Sequence, residues 1–301
     1  MAVRTSRTSE EASVSIAEQC CIACGLCVKV CGMTLRMENG KVAIQPDQGF
    51  GCIGCGQCLA VCPQDCISLY GRTLRVEDRI SFDKLVPQSS FEELQSLFLR
   101  RRSTRLFLER EVVEETVEKI LAAASAAPMG LPPSDVSVLI LRGREKVREF
   151  AFDFVEFMEK RRWLFAPPIS WLLRPFISKE TAEMMEDFMQ PLLAQAITAK
   201  EQGQDAILYG APLAMLFQNS AYSDPADASV AATYAMLAGE ALGLGTCMIG
   251  TVAPMLRHAP ALQKKYGILP NRKDGLMVIF GYPQVQYLRG IKRTFAQVNY
   301  W

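Results

Sequence analysis

The hydrophobic rhythm of the chain changes near its first quarter. Up to about residue 70, apolar and polar positions alternate over short stretches. TLRMENGKVAIQ alternates on both sides of Asn39-Gly40, a dipeptide that closes two-residue hairpins. CISLY (66–70) reads as another short strand. From Ser90 the period lengthens. Ser90 with Glu93 forms a capping-box pattern ahead of Leu94, Leu97 and Phe98, which predicts a helix. A second helix is expected over 112–126, stopped by Pro128, and long helical stretches over 144–161 and 178–202. VSVLIL (137–142) is a continuous apolar run, expected to be a strand buried on both faces. PLAMLF (212–217) and LMVIFG (276–281) read as further buried strands. ASVAATYAMLAGEALGLG (228–245) reads as a small-residue helix that can pack closely in a core or between subunits. His258 lies in MLRHAPALQKKYG, expected as a surface helix without a catalytic part. Helices alternating with a few strands give an α+β or α/β sandwich.

Composition narrows the function classes. Among 301 residues, 50% are apolar and 22% charged, which excludes a disordered chain. A net charge of +1 does not call for a nucleic-acid partner. The lone histidine excludes multi-histidine metal sites. The first residues lack the apolar core of a secretory signal, and no apolar run is long enough to span a membrane. A cytoplasmic location is expected. There, a cysteine cluster binds metal more often than it forms disulfides.

Ten of the eleven cysteines lie between Cys20 and Cys66. CIACGLCVKVC (21–31) and CIGCGQCLAVC (52–62) match at seven of eleven positions with an offset of 31 residues. Each reads C-x2-C-x2-C-x3-C, and a thiolate at every third residue suits a loop wrapped around a cubane. Gly25 and Gly56 let the backbone approach the inorganic sulfur. Structural zinc is the alternative, but it does not account for two identical four-cysteine runs. Clusters with a purely structural part are a second alternative. Over roughly residues 15–75 the pattern resembles a bacterial two-[4Fe-4S] ferredoxin, with Gly32 where a proline usually follows the first run. In that pattern the fourth cysteine of each run serves the other cluster. The resemblance therefore implies Cys21, Cys24, Cys27 and Cys62 for one cluster. It implies Cys52, Cys55, Cys58 and Cys31 for the other. Cys20 is expected to be a bystander and Cys66 a core residue.

A charged connector, GRTLRVEDRISFDKLVP, leads into the second part, and the domains are drawn at 1–78 and 79–301. Three stations there carry candidate chemistry. RRRSTRLF (100–107) offers guanidinium forks and a hydroxyl for a phosphate. APMGLPPSD (127–135) is a rigid loop. GLGTCMIG (243–250) has glycines that let backbone N–H groups face a flat ring. Their order, with GAP (210–212), Asp227 and GYP (281–283), resembles the FMN-dependent nitroreductase family over about residues 90–300. That likeness implies a central sheet flanked by helices, α+β in class, and a homodimer with FMN at its interface. It places Arg101, Arg102, Ser103 and Arg105 on the flavin phosphate, with Arg289 or Arg293 completing the cradle. Pro128, Met129, Gly130 and Leu131 would lie along the ring from the partner chain. Cys247, Met248, Ile249 and Gly250 would meet its N5 and pyrimidine side. Where the family often carries an N-x-Q-like pair, this chain has Pro132 and Ser134.

Together these features predict an iron–sulfur flavoprotein oxidoreductase. The clusters would deliver single electrons to FMN, which would reduce an organic acceptor such as a nitroaromatic, quinone or activated alkene. A relay between partner proteins and an NAD(P)H-driven reductase remain alternatives, and the external donor would be a ferredoxin or NAD(P)H. No side chain stands out as a general acid. The apolar segment 161–177, with Trp163 and Trp171, reads as a core or interface loop, a membrane-surface anchor, or a lid over the flavin.

Overall fold

A computed structural model describes residues 10–45, 51–72, 78–82, 85, 87–130, 135–165, 178–269 and 275–301. Two compact units divide the chain. One comprises Met1–Gln88, Pro128–Ser137 and Asn219–Asp227, the other Ser89–Ala127, Val138–Gln218 and Ala228–Trp301.

In the first unit, strand β1 (Ser13–Ile16) precedes a five-residue helix, Leu26–Val30. Strands β2 (Leu35–Glu38) and β3 (Lys41–Ile44) form the hairpin expected from the alternation. Asn39 and Gly40 both take positive φ (49° and 75°), as its tight turn demands. The helix Gln57–Val61 then leads to β4 (Ile67–Tyr70), which pairs antiparallel with β1. The two helices start 31 residues apart, each after a left-handed glycine, Gly25 at φ 72° and Gly56 at φ 75°. The repeat in sequence is thus a repeat in backbone. Leu35, Ile67 and Leu69 pack with Cys27 and Cys58 into a small core. Cys66 is buried as expected, yet it is joined to Cys20 in a disulfide, with Cα atoms 5.7 Å apart.

The second unit is built around a sheet of β5 (Val136–Arg142), β6 (Leu213–Asn219), β7 (Gly245–Ile249) and β8 (Gly275–Gly281), in the order β5-β6-β8-β7. β8 runs antiparallel to both of its neighbours. All seven residues of β6 are buried. On one face, Phe150, Ala151, Phe154 and Val155 of the helix Arg144–Glu159 join a core with Ala214, Leu216, Met277 and Ile279. The helix Asp227–Ala241 covers the other face, because Ala231, Ala232 and Ala235 leave no bulk between helix and sheet. At Gly239 even a Cβ would come within 3.0 Å of the Phe280 ring.

Several expectations need correction. β5, at one edge of the sheet with β7 at the other, is only half-buried along most of its length. The stretch expected as one helix over 178–202 is a helix Lys179–Glu183, a π-helical segment Met184–Met189 and a helix Gln190–Glu201. Pro191, which lacks an N–H, sits where regular pairing resumes. The helix expected around His258 is two short helices, Val252–Leu256 and Pro260–Tyr266, with His258 exposed between them. The glycine-rich segment 243–250 contains β7. The helix Phe91–Arg100 carries its capping box, with Glu93 N–H donating to Ser90 Oγ (3.2 Å) and Ser90 N–H to Glu93 Oε2 (2.8 Å). It buries none of its residues, and from residue 284 onward the chain is exposed and free of helix or strand. Among the described residues, no helix is long and apolar enough to cross a membrane.

Leu216→Ala is expected to cost about 2–5 kcal/mol, the range for a buried leucine whose cavity cannot collapse. Leu139→Ala on β5 should cost clearly less. Denaturant unfolding of both variants measures this, and equal losses would contradict the edge position of β5.

Candidate functional site

The first unit gathers its thiols as two groups. Cys21, Cys24 and Cys27 line one cavity together with Cys62, which comes from the other run. Ile16, Val42 and Ile67 complete much of its wall, so the cavity is apolar apart from sulfur. The second group is legible in its electrostatics. Burial pushes the Cys58 thiol up to about 11, and the neighbouring charges that add to this rise are those of Cys31, Cys52 and Cys55. Cys52 is likewise raised, first by burial, with Cys55 and Cys31 contributing. Cys27 is raised by burial and feels Cys24 and Cys62. Each fourth cysteine sits at the C-terminal cap of its five-residue helix, Cys31 after Val30 and Cys62 after Val61. The helix carries it away from its own run and toward the other. No group of three or more His, Cys, Asp or Glu among the described residues is drawn together as a single metal ion requires. Thiols set around a cavity are the donor set of an iron–sulfur cluster, and the residues fit one.

In the second unit, the first and third stations meet. Ser103 bridges Thr246 of β7, and Thr104 N–H donates to the Thr246 carbonyl (2.9 Å). Gly245 makes this approach possible, since a Cβ there would lie 2.6 Å from Thr104 Oγ1. Arg101 and Arg102 are half-buried beside this junction and Ser103 is exposed. The carboxyl of Glu240 is raised by burial, and the charge of Arg101 opposes that rise. Arg105 is exposed and lies over the Tyr209 ring, 5.5 Å from its centroid. Arg289 lines a surface cleft with Leu99 and Arg100, so it reaches the end of the helix that leads into the arginines. Arg293 is exposed on the C-terminal arm. Cationic forks around a serine hydroxyl fit a phosphate group.

β7 alternates along the third station. Cys247 and Ile249 point into the core, while Met248 and Gly250 are exposed. The Cys247 thiol is a packing group, and only its backbone is left to meet a ligand. Thr246 Oγ1 is fully buried without a hydrogen-bond partner among the described residues. This hydroxyl beside the Ser103 junction was not singled out from sequence, because the segment was read for its glycine backbone and not for its side chains. In the loop of the second station, Gly130 N–H donates to Asp227 Oδ1 (3.1 Å), which fixes the backbone at Pro128, Met129 and Gly130. Leu131, Pro132 and Ser134 lie outside the described residues, as do Trp171 and most of the 161–177 segment. Trp163, in a short 3-10 turn, is exposed.

A model of the Nitroreductase family matches residues 99–282, more than half of the chain. The chain belongs to the Nitroreductase family. A 4Fe-4S dicluster domain matches residues 13–63, so this nitroreductase-family oxidoreductase carries a ferredoxin-like module. No curated protein matches the chain. Similar solved structures include a nitroreductase with bound FMN from Bacteroides fragilis, 18% identical (69% of this chain, 98% of that one, TM-score 0.49). Another, from Desulfitobacterium hafniense and also with bound FMN, is 16% identical (69% and 98%, TM-score 0.48). An FMN-dependent nitroreductase from Clostridium difficile is 15% identical (70% and 100%, TM-score 0.47).

Arg102→Ala is expected to weaken FMN binding about tenfold or more, since a charge-assisted hydrogen bond contributes about 1.5–3 kcal/mol. Arg105→Ala should weaken it less, because that side chain is committed to Tyr209. Riboflavin, which lacks the phosphate, should bind parent and variants alike. Flavin fluorescence titration measures both ligands, and unchanged FMN affinity in Arg102→Ala would place the phosphate elsewhere.

Proposed function

We propose that this nitroreductase-family protein is an iron–sulfur flavoenzyme that feeds electrons one at a time through two [4Fe-4S] clusters to FMN and on to an organic acceptor. The observation that carries this reading is the fusion, in one chain, of two thiol groups with a nitroreductase domain whose arginine segment is fastened to the sheet. In this reading residues 1–78 hold the clusters and residues 79–301 the flavin.

The chain's own groups have defined parts. Cys21, Cys24, Cys27 and Cys62 hold one cluster, and Cys52, Cys55, Cys58 and Cys31 the other. Burial keeps the thiols of Cys27, Cys52 and Cys58 protonated until metal displaces their protons. Arg101, Arg102, Ser103 and Arg105 hold the phosphate, with Arg289 or Arg293 at its outer side. The backbone of Cys247, Met248, Ile249 and Gly250, and the loop Pro128, Met129, Gly130 and Leu131, orient the ring. FMN, when bound, supplies the conversion between one-electron and two-electron transfer. A nitroaromatic, quinone or activated alkene suits such a site, with a ferredoxin or NAD(P)H as donor.

A homodimer completes the reading. The helix Phe91–Arg100 and the C-terminal arm expose Phe91, Leu288 and Phe295, the last at 85%. Apolar surface on that scale is what a partner covers, and a second copy with FMN at the shared interface supplies the cover.

Anaerobic reduction by a reduced ferredoxin or NADPH should bleach both the cluster and the flavin absorbance. Addition of a nitroaromatic or quinone should restore both, with product formed over many turnovers. Protein that reoxidises only with a partner protein, and turns over no small acceptor, would instead be a relay.

A further inference from the structure

Arg72 has the largest side chain among those fully buried in the described residues, with 0% exposure. A buried guanidinium is costly unless negative charge lies nearby. Among its contacts, one Nη donates to the Ile53 carbonyl (3.3 Å), inside the loop between Cys52 and Cys55. The backbone is shaped to bring it there. Gly71 (φ 83°) and Arg72 (φ 54°) are both left-handed, a conformation a bulky residue keeps only when its surroundings hold it.

The internal repeat supplies a control within the same chain. At the offset of 31, Gly71-Arg72 corresponds to Gly40-Lys41. Lys41 points into solvent, where it pairs with Glu18 at 3.4 Å with side chains 75% and 79% exposed. The loops differ to match. Gly54 corresponds to Ala23, and both are left-handed (φ 70° and 52°). A Cβ on Gly54 would lie 3.2 Å from Arg72 Cδ, so glycine makes room for the arginine stem where the first copy tolerates alanine. One loop therefore has a buried cation against it, and its counterpart has a screened surface lysine.

We propose that Arg72 makes the two clusters unequal by raising the reduction potential of the one held by Cys52, Cys55, Cys58 and Cys31. Reduction adds one negative charge to a cluster already bounded by thiolates. A cation held in a low-dielectric interior stabilises that charge far more than an exposed lysine does. Electrons entering the module settle first on this cluster, which fixes an order of filling. Arg72 is a positioning residue in this role and touches no substrate. The inference rests on the two-cluster reading above.

The test is an anaerobic potentiometric titration of the purified holoprotein followed by electron paramagnetic resonance, with iron determined on the same samples. Parent protein should carry about eight iron per chain and be reduced in two separated steps. Arg72→Gln should keep that iron and shift the higher step to lower potential. The equilibrium constant for that reduction should fall about tenfold or more, a shift of about 59 mV or more for one electron. Arg72→Lys, which keeps the charge, should stay near the parent. Arg72→Met, which removes the charge and keeps an apolar stem of similar reach, should move the same step downward. Potentials unchanged in Arg72→Gln with iron retained would overturn the inference. So would equal downward shifts in the glutamine and lysine variants, which would make the effect one of packing and not of charge. If Arg72→Gln loses iron, Arg72→Met decides: an unmoved step with full iron overturns the inference as well. A parent with about four iron per chain would instead overturn the two-cluster reading itself.

Discussion

In the proposed reading, the sharing of thiols between two cysteine runs is the constraint on which the ferredoxin-like module depends. A run of three thiols spaced three residues apart can surround only part of a cubane. The fourth thiol must come from elsewhere, and here it sits past a five-residue helix, in Cys31 and Cys62. On the proposed ligand set neither run can complete a cluster without the other. The pairing of β1 with β4, 51 residues apart between Ile16 and Ile67, closes the module around that exchange. The hydrophobic core alone is small for this purpose, essentially Leu35, Ile67 and Leu69 with two of the cysteines. In the proposed reading, metal binding is then a large part of folding, as in other small metal-centred domains.

The nitroreductase domain solves a different problem, that of presenting charge from a rigid surface. Its arginines follow an exposed helix, which by itself would leave them mobile. The junction of Ser103 and Thr104 with Thr246 ties them to β7, and the absent side chain of Gly245 permits the approach. β7 in turn pairs with β8, one of the most buried strands. Site residues gain precision from such support by regular structure. The same logic explains why the Cys247 thiol is a packing group: strand alternation turns it into the core while Met248 faces out.

Signals local in sequence were legible before the structure. The cysteine spacing, the Asn39-Gly40 turn, the Ser90–Glu93 capping box and the apolar runs of β6 and β8 each specify their element within a few residues. What escaped depends on distant partners. β1 is four residues of weak alternation that become a strand only against β4. β7 carries the glycines of a turn but is held extended by β8 and by Thr104. The apolar run of β5 promised burial on both faces, but the strand lies at one edge of the sheet and is only half-buried. Arg72 is a lone arginine in a charged connector, and nothing in its neighbourhood signals a fully buried side chain.

The exchange of the fourth thiols is tested most directly by comparing which cluster survives the loss of single ligands. Four reduced variants, Cys21→Ala, Cys62→Ala, Cys52→Ala and Cys31→Ala, would be compared by electron paramagnetic resonance under anaerobic conditions. Cys62→Ala should leave the same residual spectrum as Cys21→Ala, and Cys31→Ala the same as Cys52→Ala. If Cys62→Ala matches Cys52→Ala instead, each run keeps its own fourth cysteine and the exchange is wrong.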